Sequence, residues 1–247
     1  MSVATAQSRK SGVQLDGIAA AAAIATFVCA APAIAVLALA LTPDAQGAAF
    51  AGDLLRDGAI GTLALVLAGG GGAIAFGACA AWLVSLCNFP GRSVFEWLLV
   101  IPLAAPSYVL AYSYASFSWA GGWSPIEVRG FWGAAFVYAV GLYPYVYLAA
   151  RAAFATQSAC ALEAARSLGV GPFKLFWRVA LPLARPGIAA GAALAIMEIA
   201  ADFGAAQHFG LTTLSTAIFR AWYAHQSLHG AIQISAALLL AALVFLV

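Results

Sequence analysis

From Ala59 to Leu86 the chain carries no charged residue over 28 positions. A helix of that length rises about 42 Å, enough to cross a hydrocarbon core of about 30 Å. The remainder of the sequence agrees: it is 64% hydrophobic and only 8% charged, where a water-soluble domain carries about 25% charge. A bilayer is therefore the main solvent. The net charge of +2 gives no electrostatic footprint for a nucleic-acid partner.

Six stretches are long and apolar enough to be spans: Gly17 to Leu41, Ala59 to Leu86, Trp97 to Phe117, Phe131 to Ala150, Gly187 to about Phe203, and Gly230 to the last residue, Val247. The first follows Arg9 and Lys10 and so has the look of a signal peptide. At 25 residues it exceeds an h-region of about 7–15 residues and reads as a retained span, preceded by a tail over residues 1–16. The expected fold is all-α, a polytopic membrane domain over residues 17–247. With the N-terminus cytoplasmic, the inner segments hold Arg9, Lys10, Arg92, Arg151, Arg166, Lys174, Arg178 and Arg185, and the outer ones only Arg56, Arg129 and Arg220. That asymmetry follows the positive-inside rule.

Pro32, Pro102, Pro106 and Pro144 each remove a backbone donor inside a span. Gly69 to Gly72 leave a bare or flexible point, and Gly187 with Gly191 forms a GxxxG pair suited to close helix contact. Cys29, Cys79, Cys87 and Cys160 show no CxxC and no paired spacing, so they form neither a disulfide framework nor a zinc site.

The segment from Arg151 to Arg185 holds five of the eleven basic residues. Long connections in a compact protein usually carry function. It reads as two short helices. Ser158 caps the first, Gly169 ends it in a left-handed conformation, and Pro172 begins the second. The second exposes Phe173, Phe176 and Trp177 beside Lys174 and Arg178, with Pro182 and Pro186 punctuating the return to the membrane. Such a face suits either the lipid interface or a groove on a partner protein.

Glu163-Ala164-Ala165, three residues, Gly169, nine residues, Val179, one residue and Leu181-Pro182 resembles the EAA loop of ABC-importer permeases. Val179 departs from the isoleucine most often found there. The resemblance implies about six transmembrane helices in the type I importer permease (MetI-like) architecture, with cytoplasmic coupling helices. It also implies a cytoplasmic ABC ATPase dimer that receives the loop, a periplasmic substrate-binding protein, a second permease half and a bacterial inner membrane. Glu163 would contact the ATPase or fix the loop's shape, and Gly169 would permit the turn. The chain has no GxxxxGK[ST] sequence, so ATP and magnesium belong to the partner.

Tyr143-Pro144-Tyr145-Val146-Tyr147 with Ala149 to Phe154, then Met197-Glu198 to Asp202-Phe203-Gly204, Phe209-Gly210 and Thr216 to Trp222, is more similar to ferric-iron importer permeases than to those for thiamine, sulfate or phosphate. The expected cargo is therefore ferric iron. Such permeases commonly join two halves in one chain, and a single EAA loop with an apolar end suggests a truncated chain or the first half of a fused permease.

Glu198 and Asp202, at i and i+4, share a helix face. They are either a cation path or gate, or a pair at the outer interface capping the next segment. Tyr112 is a further candidate for the path. His208, His225 and His229 are too dispersed to suggest a metal site. A secondary transporter would also have kinked spans and buried carboxylates, but would not need the EAA loop. No clustered acid, base or nucleophile points to an enzyme.

Overall fold

The computed structural model describes residues 3–42, 45–119, 128–156, 167 and 169–246. Among these, every regular element is helical. Helix α1 is Val3–Ala40. Helix α2, Ala45–Leu65, passes through a π-turn at Val66–Gly70 into α3, Gly71–Leu86. Helix α4 is Arg92–Leu98, α5 is Ser107–Trp119 and α6 is Gly130–Ala155. Helix α7, Pro172–Leu175, continues through a π-turn at Phe176–Ala180 into α8, Leu181–Ala201. Helix α9 is Gly204–His208, α10 is Leu214–Phe219, and α11 is Leu228–Leu246 after a π-turn at Arg220–Ala224.

Four helical stretches are long and apolar enough to cross a membrane: Gly17–Ala40, Ala51–Leu86, Gly130–Ala155 and Phe173–Ala201. They coincide with the first, second, fourth and fifth expected spans. The sixth, Leu228–Val244, is a shorter apolar helix.

The third departs from expectation. Trp97 to Phe117 is not one straight helix but falls in two pieces, Arg92–Ala104 and Ser107–Ser116, bent by 97°, a broken span or a re-entrant loop. Pro106 explains the break, because its ring forces the preceding residue out of the helical region. Ala105 accordingly sits at φ −102°, ψ 126°.

Helix α6 is the axis of the core. Its residues Ala134, Val137, Tyr138, Val146, Tyr147 and Ala150 are almost fully buried, with α3 on one side and α8 on the other. Close approach demands small residues there. A Cβ on Gly77 would lie 2.7 Å from the carbonyl oxygen of Tyr143 and 2.9 Å from the nitrogen of Tyr147. Gly187 and Gly191 meet the opposite side of α6 near Ala149 and Tyr145, so this GxxxG pair is a packing device. In contrast, α1 has none of its apolar window buried. It rests on α11 at the edge.

Candidate functional site: the loop end and the far half

The end of the molecule where α6 gives way to α7 is the loop end. Glu163, Ala164 and Ala165, with Ser158, lie outside the described residues. Gly169 is described, and its φ of +75° is the left-handed backbone expected of it.

Beyond Gly169 the loop differs from the expected pair of short helices. The second helix does not stop at the prolines: α7, the π-turn and α8 are continuous from Pro172 to Ala201, so Leu181 and Pro182 lie within it. The Leu181 N–H bonds back to the Phe176 carbonyl, five residues earlier. This widened turn immediately precedes Pro182, whose missing N–H would have broken a regular ladder.

The three rings also separate. Phe173 is 70% exposed and Trp177 54% exposed, but Phe176 is only 5% exposed. Phe176 therefore does not belong to the exposed set that the sequence suggested. Its ring packs on Trp82 of α3, with centroids 4.8 Å apart. Leu175, 3% exposed, shares this inward face, while Phe173, Lys174, Trp177 and Arg178 lie around the rest of the helix. Lys174 and Arg178 are exposed beside Phe173 and Trp177.

A second fastening lies nearby. Glu96 of α4 forms an ion pair with Arg151 of α6, and its backbone carbonyl accepts a hydrogen bond from the Tyr147 hydroxyl at 3.2 Å. Nothing in the sequence pattern pairs these two residues, which are 55 positions apart and lie just outside the expected third and fourth spans.

In the half away from the loop, α8 ends at Ala201, and Asp202 is extended at φ −69°, ψ 120°. Asp202 is the last residue of the helical circuit, its N–H bonded to the Glu198 carbonyl at 2.9 Å, and the chain turns away after it. The Asp202 Oδ1 accepts from the Ala205 N–H at 2.9 Å, and its Oδ2 accepts from the Ser107 hydroxyl. Its backbone carbonyl accepts from the Ser215 hydroxyl at 2.7 Å. Asp202 thus caps the next segment. Glu198 is exposed on α8.

Buried hydroxyls extend this knot. Thr213 and Thr216 form a reciprocal capping box at the start of α10. The Leu214 N–H donates to the Thr62 Oγ1 of α2 at 2.9 Å. Thr213-Leu214-Ser215-Thr216 is a cap signal visible in sequence, and Thr62 is not.

Tyr112 is exposed and meets the His208 ring edge-on at 5.6 Å. These two side chains border a groove of about 410 Å³, which also includes Ser116, Arg129 and Phe209. Among the described residues no group of three His, Cys, Asp or Glu side chains is placed to hold a metal ion.

A family model described as "Binding-protein-dependent transport system inner membrane component" matches residues 73–247. The chain is 28% identical over 149 residues to the Fe(3+)-transport system permease protein FbpB 2 of Haemophilus influenzae, covering 60% of this chain and 28% of that protein. It is 34% identical over 139 residues to the molybdenum transport system permease protein ModB of Escherichia coli K12, covering 53% and 61%. It therefore spans less than two thirds of either relative. In fold it is similar to a chain from the inward-facing MetNI methionine ABC transporter, with a TM-score of 0.65 at 18% identity, covering 78% of this chain and 91% of that one. That likeness agrees with the expected MetI-like helical architecture.

Proposed function

This chain belongs to the family of inner membrane components of binding-protein-dependent transport systems, and from that premise we propose that it is the membrane-embedded permease subunit of an ATP-driven importer, with force entering at the loop end. One observation carries the site of entry. Phe173 and Trp177 stand exposed with Lys174 and Arg178 at the head of a helix that continues unbroken to Ala201. Exposed rings flanked by cations suit a groove on a protein partner. In this reading the partner is a cytoplasmic ATPase dimer, which binds the ATP and magnesium. Glu163, Ala164, Ala165 and Gly169 shape the loop that meets it. A second permease half and surrounding lipid complete the membrane part, and a periplasmic binding protein delivers the solute. The N-terminus is cytoplasmic, supported by the eight-to-three distribution of basic residues.

The solute is an inorganic ion. The motif likeness around Tyr143 to Tyr147 and Met197 to Gly204 supports ferric iron, as does the relative named for Fe(3+) transport. A second reading, an oxyanion, is supported by Arg129 and His208 in the groove beside Tyr112 and by the relative named for molybdenum transport.

Glu163→Ala and Gly169→Pro test the coupling role. Proline fixes φ near −65° and cannot adopt the +75° of Gly169. Both variants are expected to insert normally and to lose ATP-dependent uptake in proteoliposomes. Uptake at the unmodified rate in both would remove the loop from the mechanism.

A further inference from the structure

Resting on the permease reading, we propose that the groove between α3 and α4 binds one anionic phospholipid of the cytoplasmic leaflet, with an acyl chain in the groove and the phosphate at Arg92. The groove has a volume of about 720 Å³ and follows α3 from Ala75 to Cys87. Its second wall is made by Phe89, Phe95 and Leu99. None of the described residues lining it carries a charge, a side-chain amide or a hydroxyl. The wall exists because the chain reverses at Gly91, which is left-handed at φ +83°. Phe89 and Phe95 then meet edge-on across the turn, 5.9 Å apart. Phe76, Leu83 and Phe95 remain exposed, so the groove is open to the hydrocarbon beside it.

Length separates two occupants. From Ala75 to Cys87 the groove is about 18 Å long, close to the ~15 Å of a single leaflet's hydrocarbon. A helix of a second permease half would cross the whole core and follow α2 and α3 along the span Ala51–Leu86. The groove instead stops midway along that span and ends at its loop-end terminus. One acyl chain fits that length, and a spanning helix does not.

Charge lies at the closed end. Arg92, Phe95 and Leu99 are at i, i+3 and i+7, so the guanidinium shares a face with two residues of the wall. Arg92 follows the span Ala51–Leu86 by six positions, which puts it at headgroup depth. It donates to the Asn88 Oδ1 at 3.2 Å and to the Ser85 carbonyl at 3.4 Å. Both acceptors are neutral, so they hold the guanidinium in place without cancelling its charge. Glu96, one turn further along α4, pairs with Arg151 instead. A guanidinium fork suits phosphate oxygens. Basic side chains beside grooves between helices on the cytoplasmic side are the usual setting for anionic headgroups.

The test uses the complete importer, with its ATPase and binding protein, in phosphatidylcholine vesicles. The vesicles carry a trace of phosphatidylglycerol with a diazirine in one acyl chain, or of phosphatidylcholine labelled in the same way. Cross-links made on illumination are mapped by peptide mass spectrometry. Helix α1, none of whose apolar window is buried, reports contact with bulk lipid. Phosphatidylglycerol should cross-link to residues 75–99 about fivefold more than phosphatidylcholine, with no such preference on α1. Arg92→Gln should abolish the preference, and Arg92→Lys should keep it within about twofold. Leu83→Trp, which fills the groove and leaves Arg92 in place, should lower cross-linking of both lipids at residues 75–99. Co-purification of the ATPase establishes that each variant has assembled. Absence of lipid cross-links at residues 75–99, as expected if a protein helix covers the groove, would overturn the proposal. So would equal cross-linking by the two lipids, an undiminished preference in assembled Arg92→Gln, or unchanged cross-linking in Leu83→Trp. Failure of the permease reading itself is seen separately, as uptake that needs no ATP or is indifferent to Gly169→Pro.

Discussion

The two ends of the molecule are held by different chemistry. At the loop end the contacts are a ring on a ring, Phe176 of the π-turn on Trp82 of α3, and an ion pair, Arg151 of α6 with Glu96 of α4. In the far half they are neutral or capping hydrogen bonds among Asp202, Ser107, Ser215, Thr213, Thr216 and Thr62. Ring packing is weakly directional, and a half-exposed ion pair yields little energy. The hydroxyl knot is directional, and each buried donor left without an acceptor is costly. The loop end is therefore fastened in a way that tolerates small displacement, and the far half in a way that fixes one backbone path.

Substitutions break this comparison in graded steps. The largest loss of stability is expected from Phe176→Ala, which empties the space beside Trp82 and should destabilise the folded protein by about 3 kcal/mol. Thermal unfolding in detergent, followed by intrinsic tryptophan fluorescence, measures it. Thr62→Val keeps the shape but leaves the Leu214 N–H unpaired, and should cost about 1–3 kcal/mol in the same assay. Arg151→Ala should cost no more than about 0.5 kcal/mol, because its side chain is 37% exposed and that of Glu96 26% exposed. Phe173→Ala should leave the unfolding temperature unchanged, since the ring touches little besides Trp177. It should nevertheless lower ATP-dependent uptake. A Phe173→Ala protein as unstable as Phe176→Ala would erase the distinction between the exposed and the buried ring.

Much of this architecture was legible in sequence because a bilayer imposes it. Uncharged length located the spans, and Gly169 announced its own backbone conformation. The errors have a common source. Pro182 was read as punctuating the return to the membrane and Pro106 as a donor lost inside a span, whereas the helix runs on through the first and breaks before the second. A π-turn absorbs Pro182, and Ala105 before Pro106 is where the third span breaks. Whether a proline ends a helix depends on what its neighbours can do with the freed carbonyl, and that is a tertiary property. Phe173 and Trp177, four apart, share one helix face, and Phe176 falls beside Leu175 on the inward one; which of the two faces meets α3 is set by tertiary packing. The groove at Tyr112 was only partly visible, because Arg129 and His208 reach it from 17 and 96 positions away.

The unbroken helix from Phe173 to Ala201 has 29 residues, a length of about 44 Å. Its head carries the exposed rings, and its foot is tied through Asp202 to α5, α9 and α10. A rod of this kind allows little delay between its ends: a tilt imposed at Phe173 reaches Asp202 as the same tilt. Opening at the far half and movement at the loop would then be one event rather than two in sequence. An importer built this way would keep time by geometry, with slack confined to the π-turn at Phe176–Ala180 and to Pro182 and Pro186, where the helical ladder is interrupted.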